Sequence, residues 1–256
     1  MLKGLIMKRL ATALGIATVL AFSLQAAGAQ TLKAVKDRGE VWCGSNGQLA
    51  GFGMPDPQGN WTGFDVDFCR AIAAAIFNDP TKVKFVPLTA ANRFTALQSG
   101  EIDVLSRNTT WTMSRDVQLG VDFAAVHYYD GQGFMVHKAL KVSSALELND
   151  ATVCVQQGTT TELNLADYFR SNHMSLKSAT FATADEAIKA YEAGRCDSYT
   201  TDSSGLYGER ALLSDPGANI VLPEIISKEP LSPAVRQGDD TWEDIVRWTH
   251  YAMVDA

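Results

Sequence analysis

Three polar stretches hold the side chains with chemistry to offer. In "RNTTWTMSRD", Arg107 to Asp116, Arg115 is a planar guanidinium able to grip a carboxylate through two parallel hydrogen bonds, and Asn108 and Thr110 add neutral donors ahead of it. In "GTTTE", Gly158 to Glu162, the spacing reads as a capping box with Thr159 as N-cap and Glu162 at N3, so Thr160 begins a helix whose free amides can receive an anion. In "TTDSSG", Asp202 is a carboxylate placed to receive an ammonium group. Taken singly, each has a plainer role: Arg115 can pair with Asp116 or Asp122, and Asp202 can cap a helix. Taken together they offer a cation on one side and an anion on the other, which suits a small ligand carrying both charges.

Catalytic and metal chemistry find less support. His127, His137, His173 and His250 lack the short intervals of a zinc site. There is no Gly-x-Ser-x-Gly elbow and no phosphate loop, and "GQGFMV" lacks the third glycine of a dinucleotide fingerprint. Paired acids such as Asp65 and Asp67 read as the first turn of a helix. No cofactor is expected.

The elements that must position these stretches alternate. "EVWCGS" reads as a strand, "FDVDFCRAIAAAIF" as a helix with Phe68, Ile72 and Ile76 on one face, "KVKFV" as a strand, "ANRFTALQSG" as a helix closed by Gly100, and "IDVLS" as a strand. The order recurs in "TVCVQ", "TTTELNLADYF", "SATF", "ADEAIKAYEAG" and "CDSYT". One unit repeats closely: helix, Gly100, two residues, Asp103, strand; then helix, Gly194, two residues, Asp197, strand. Two α/β lobes on one plan are expected, each with a mostly parallel sheet, and in such sheets ligands bind beyond the carboxyl ends of the strands. "YYDGQGFMVHK" and the proline-bearing "LPEIISKEPLSPAVRQGD" read as two crossovers, which makes a two-strand hinge between lobes and returns the end of the chain to the first lobe.

The first residues read as an export signal. Lys3, Lys8 and Arg9 precede an apolar stretch from Leu10 to Leu24, and Ala27-Gly28-Ala29 offers small residues for cleavage after position 29. Losing those three cations and no anions takes the formal charge from −7 to −10. An acidic exported chain is a poor partner for nucleic acid. In an oxidising compartment Cys43, Cys69, Cys154 and Cys196 are expected to form disulfides, and of the three possible pairings the element order favours Cys43–Cys69 and Cys154–Cys196.

The signal peptide together with "GFDVDFCRAIAAA", "ALQSGEIDVLSRNTTWTMSRD", "VCVQQGTTTELNLADYF", "AYEAGRCDSYTTDSSGL" and "PEIISKEPLSPAVRQGDD" resembles the periplasmic solute-binding proteins of polar amino acid ABC transporters, in particular the general L-amino acid-binding group. The likeness spans nearly all of the chain after the signal. It implies an α/β, two-lobe type II periplasmic binding protein fold: 1–29 signal peptide, 30–132 lobe 1, 133–230 lobe 2, and 231–256 a return segment that in family members continues further, so that apolar surface on the first lobe is left exposed. It implies a periplasmic monomer that binds free L-amino acids and hands them to a membrane permease. The family's carboxylate-gripping arginine falls on Arg115, its ammonium acceptor on Asp202, and its donors on Asn108, Thr110, Thr159 and Thr160. Where many relatives place aromatic rings over the ligand, this chain has Leu49 and Phe52 and the small run Ala90 to Asn92, which fits broad specificity. The rival reading on the same fold is a periplasmic cyclohexadienyl (arogenate or prephenate) dehydratase, for which the cleft stretches supply no evident general acid.

Overall fold

The computed structural model describes residues 30–256, so the expected signal peptide lies outside the described residues. The chain opens with α1 (Gln30–Arg38), β1 (Val41–Ser45) and a short hairpin of β2 (Met54–Pro55) and β3 (Trp61–Thr62), followed by α2 (Phe64–Phe77) and β4 (Val83–Pro87). It continues through α3 (Arg93–Ser99), β5 (Val104–Leu105), α4 (Met113–Gln118) and β6 (Val121–Phe123). A crossover strand β7 (Tyr128–Asp130) leads into β8 (Gln132–His137) and the second set: β9 (Thr152–Gln156), α5 (Thr160–Ser171), β10 (Lys177–Phe181), α6 (Ala184–Glu192), β11 (Ser198–Asp202), α7 (Ser203–Arg210) and β12 (Asn219–Val221). The return strand β13 (Glu229–Leu231) precedes β14 (Ala234–Arg236) and α8 (Asp240–Val254).

Two five-stranded sheets result, ordered β4-β1-β5-β14-β6 and β10-β9-β11-β8-β12. Each has three parallel strands built from strand–helix–strand units, as the alternation requires, with β1 and β9 in the middle. The remaining two strands of each sheet add an antiparallel part that the periodicity did not announce, because β14 and β8 arrive from crossovers rather than from a covering helix. The crossovers β7 and β13 pair antiparallel with each other, Glu229 opposite Asp130 and Leu231 opposite Tyr128, and form the two-strand hinge. At that junction Gly131 has a steric reason: a Cβ there would lie 2.3 Å from Ile225 Cγ2 and 2.8 Å from the Ser227 carbonyl oxygen.

Apolar burial supplies the driving force for each half. In the first sheet Val41, Cys43, Phe68, Ile72, Trp242 and Val246 share one core, so α2 and α8 cover the same face. The Trp242 indole N–H donates to the Asp103 carbonyl at 2.9 Å, which lets the ring be buried without an orphaned donor. The second sheet is covered on both faces, by Phe134, Leu165 and Phe169 on one side and by Tyr191, Tyr199 and Leu206 on the other. Trp248, Tyr251, Met253 and Val254 stand exposed on α8.

The repeated glycine–aspartate unit has a geometric meaning. Gly100 and Gly194 close α3 and α6 with φ of +79° and +73°. Three residues on, Asp103 accepts the Trp42 N–H at 2.7 Å and Asp197 accepts the Thr152 N–H at 2.7 Å, so each carboxylate pins the start of the middle parallel strand of its lobe, β1 or β9. Both expected disulfides are present, Cys43–Cys69 joining β1 to α2 and Cys154–Cys196 joining β9 to the residue two before β11, with Cα separations of 6.3 and 5.7 Å. Cross-links closing loops of this length each stabilise a fold by about 3–4 kcal/mol in the chain-entropy account.

Candidate functional site

The carboxyl ends of β5, β9 and β11 face one cleft between the sheets, where Arg107, Asn108, Thr110, Thr159, Thr160 and Asp202 line a small cavity of about 20 Å³. Thr110 Oγ1 of the first lobe is 3.4 Å from Thr160 Oγ1 of the second, so the two walls are in contact there. Beside it, and sharing Arg107 and Gln156, a larger cavity of about 190 Å³ runs between Asn46, Gln48, Leu88, Asn92 and Thr183.

Arg115 lies in a helix, not in the loop that its polar neighbours suggested. Thr112 caps α4 by accepting the Arg115 N–H at 3.3 Å, and the arginine side chain then folds back to donate to the Thr110 carbonyl at 2.8 Å. Burial pulls its pKa below the ordinary guanidinium value, against the opposing fields of Glu229 and Asp202. Asn108 adopts a left-handed backbone, φ +31°, because its N–H is drawn to Asp65 Oδ2 at 2.8 Å while Ser106 donates to the other oxygen at 3.0 Å. Its side-chain oxygen accepts from Asn46 at 3.0 Å.

Two further guanidiniums that were not singled out in the sequence line the small cavity itself, whereas Arg115 is not among its lining residues and stands behind Thr110, whose carbonyl it holds. Arg107 is buried and donates from Nε to the Leu88 carbonyl at 2.9 Å; desolvation lowers its pKa to about 10. Arg93, at the start of α3, is 2% exposed, donates one long hydrogen bond of 3.4 Å to Thr109 Oγ1, and leaves its Nε without a partner. Desolvation first, then Arg115 and Arg107, push its pKa well down, and Asp202 opposes them. Nothing in local sequence marks Arg93: it comes from a different helix and meets the others only through the fold.

In the second lobe, Thr159 is the N-cap of α5 and accepts the Glu162 N–H at 3.1 Å. The reciprocal arm of the expected capping box goes elsewhere, since the Glu162 carboxylate takes the Gly158 N–H at 2.8 Å. The hydroxyl of Thr159 donates to the Gln156 carbonyl at 2.7 Å, and that of Thr160 donates to Glu229 at 2.9 Å. Thr110 likewise donates to Glu229 at 2.6 Å. The hydroxyl hydrogens of these three threonines are engaged within the protein, so what they can present to a ligand is oxygen lone pairs and main-chain N–H groups. Asp202 ends β11 and stands at the N-cap position of α7 without making the side-chain cap. One of its carboxylate oxygens is buried with no partner, and burial, then Glu229 and Asp130, raises its pKa well above the carboxylate range. An unpaired buried carboxylate is costly, and a cationic group would relieve it.

A model of the bacterial extracellular solute-binding proteins, family 3, matches residues 41–254. The chain belongs to this family. Its members are solute-binding proteins rather than enzymes, which leaves the dehydratase reading without support. Among relatives, the chain is 62% identical to the general L-amino acid-binding periplasmic protein of Rhizobium johnstonii, over 97% of this chain and 73% of that one. It is 57% identical to the glutamate/glutamine/aspartate/asparagine-binding protein of Rhodobacter capsulatus, over 94% of this chain and 72% of that one. Among solved structures, a periplasmic binding protein of an ABC transporter from Brucella ovis, with glutathione bound, superposes with a TM-score of 0.87 at 59% identity, covering 89% of this chain and 72% of that one. An ancestral arginine-binding protein bound to arginine gives 0.75 at 29% identity, covering 85% and 93%. For a family 3 protein the two-lobe arrangement and the hinge are the expected frame, and the cleft just described lies between those lobes.

Proposed function

We propose that this chain is the extracytoplasmic binding component of an amino acid ABC transporter, a monomer that takes free L-amino acids between its lobes and delivers them to a membrane permease in the periplasm. The lobes are residues 30–132 and 133–230, with 231–256 returning to the first. Arg115 receives the α-carboxylate, helped by main-chain N–H groups of Thr110 and of the α5 start at Thr160, with Thr159 shaping that helix entrance. Asp202 receives the α-ammonium, and Asn108 borders the pocket.

The reading rests on one observation above the rest: a cluster of buried guanidiniums in one lobe facing, across a single cleft, a buried carboxylate in the other with an oxygen that lacks a partner. A zwitterion satisfies both, and neither a simple anion nor a simple cation does. The adjoining cavity, with polar walls from Asn46, Gln48, Asn92 and Thr183, has room for varied side chains. Arg93, Arg107 and Arg115 are offset by Asp65, Asp130, Asp202 and Glu229, so the charges around the cleft do not by themselves select acidic over basic side chains. The name of the Rhodobacter relative favours glutamate, glutamine, aspartate and asparagine as ligands over lysine and arginine, and that of the Rhizobium relative favours breadth.

A thermal-shift panel of the common L-amino acids tests the reading. A ligand at a hundred times its Kd adds about 2.7 kcal/mol, or roughly 5–10 °C in Tm for a domain of this size. Glutamate, glutamine, aspartate and asparagine should shift the midpoint by that order, and lysine and arginine much less. If no amino acid moves it, the assignment fails.

A further inference from the structure

Glu229 sits where nothing in the sequence pointed. It begins the hinge strand β13, in a proline-flanked segment that reads as a linker, yet it is 2% exposed and is the centre of a four-donor node. Its Oε2 accepts the hydroxyls of Thr110 from the first lobe and Thr160 from the second; its Oε1 accepts the Asn164 amide at 2.7 Å and the Ser227 hydroxyl at 2.6 Å. One carboxylate on the crossover thus ties both lobes and the hinge together. The strand that carries it is itself anchored to the first-lobe wall, because the Trp111 N–H donates to the Pro230 carbonyl at 2.8 Å and Leu231 bridges to Thr110.

We propose that Glu229 is a positioning residue that fixes the polarity of the ligand's ammonium subsite. The inference rests on the amino acid reading above. A hydroxyl has one hydrogen and two lone pairs, and an ionised carboxylate only accepts. By taking the hydrogens of both Thr110 and Thr160, Glu229 leaves their oxygens, 3.4 Å apart, able to act only as acceptors. The third acceptor on the same small cavity is the unpartnered oxygen of Asp202. Three acceptors match the three hydrogens of an ammonium group. A hydroxyl in place of the ammonium brings one hydrogen and leaves two of the three acceptors without a donor. Glu229 therefore makes the cleft demand an α-ammonium without having to touch it.

The near-isosteric change Glu229→Met tests this. Both threonine hydrogens go to the one oxygen Oε2, and a thioether is a weak acceptor for either, so the hydroxyls are released to turn their hydrogens toward the ligand and meet the ammonium with a like-signed dipole. Calorimetry compares L-glutamate with (S)-2-hydroxyglutarate, which differs only at the α-substituent, on the unaltered chain, on Glu229→Met and on Thr160→Val, which removes one acceptor. The expected result is at least a tenfold loss for L-glutamate in either variant, with the hydroxy acid changing less than about threefold, so that discrimination between them narrows. Equal losses for both ligands in both variants, or no loss, overturn the role of Glu229. Failure of the unaltered chain to bind L-glutamate or any other amino acid overturns the underlying reading as well, and that arm is read before the variants. Should Glu229→Met fold poorly, Thr160→Val still decides the outcome.

Discussion

The two lobes are built on one plan and furnished with opposite chemistry. Each has a central parallel strand pinned at its start by a carboxylate three residues beyond a helix-closing glycine, and each has a disulfide on that same central strand. At the cleft the likeness stops. The first lobe presents Arg93 and Arg107 in the company of Asn108 and Thr110, with Arg115 just behind on the Thr110 carbonyl; the second presents the start of α5 and the carboxylate of Asp202. A repeated scaffold thus places strand ends opposite each other, and divergence confined to those ends makes a receptor for a dipolar ligand. Stability is encoded in what the lobes share and recognition in where they differ.

The largest effect should come from removing the difference. Arg115→Ala and, separately, Asp202→Ala should each weaken amino acid binding by more than about tenfold, since truncating one partner of a buried charge pair costs roughly 2–5 kcal/mol and each ~1.4 kcal/mol is a decade. Calorimetry on ligand-stripped protein measures it. Unchanged affinity in both would mean that the cleft charges do not meet the ligand, and the contrast between lobes would lose its functional meaning.

A second contrast lies behind the walls. The first lobe buries an acid and a base together: Asp65, beneath the Asn108 turn and facing Arg107, and His127, whose Nε2 is 3.6 Å from it and which also faces His250. Desolvation raises Asp65 to about 6 and lowers His127 to about 3. As pH falls from about 6 to 4, folded Asp65 binds a proton that the unfolded chain does not yet hold, which stabilises the fold. As pH falls from about 6.5 towards 3, the unfolded imidazole takes a proton that folded His127 refuses, which destabilises it. The two offset each other between about pH 6 and 4, and below that the His127 effect continues alone. The second lobe buries Glu209 near Tyr199 and Asp185, with a pKa raised by desolvation to about 8, so its contribution is present below about 4.5 and lost as pH climbs to 8. We expect His127→Gln to gain Tm relative to the unaltered protein between pH 6.5 and 4, and Glu209→Gln to gain it between pH 4.5 and 8. Melting curves across pH read both slopes; parallel profiles would show that neither group titrates with folding.

How much of this was legible follows from how local each signal is. The span of α2 and that of β9 came out as read, because fourteen and five residues of consistent pattern carry their own evidence. The three-residue strands β6 and β12 carry too little pattern to announce themselves, and α4 hid behind Thr112 and Ser114, whose polarity suits a cap as well as a loop. Arg115 and Asp202 could be singled out by type and place. Arg93 and Glu229 could not, since one lies in an ordinary helix start and the other in a proline-rich crossover, and only the folded arrangement brings Arg93 to the cavity wall and Glu229 to the hydroxyls of Thr110 and Thr160. A sequence shows which residues could act, but long-range burial selects among them.

The smallest effect probes the shared plan itself. Asp103 and Asp197 make the same hydrogen bond to the start of their strands, but at different depths: Asp103 is buried and also pairs with Arg38, whose guanidinium lies 4.1 Å above the Trp42 ring, while Asp197 is exposed. In Asp103→Asn the amide oxygen can keep both the Trp42 N–H and the Arg38 guanidinium, which share Oδ2 of Asp103, but the negative charge facing Arg38 is lost, so the loss should be about 1–2 kcal/mol, the difference between hydrogen bonds to charged and to neutral groups. In Asp197→Asn the oxygen keeps the Thr152 N–H and water serves the rest, so the loss should stay under about 1 kcal/mol. Denaturant midpoints at constant slope measure both. A larger loss at Asp197 would mean that the second lobe, not the first, depends on this bracket, and that the two halves differ in how they are held together as well as in what they bind.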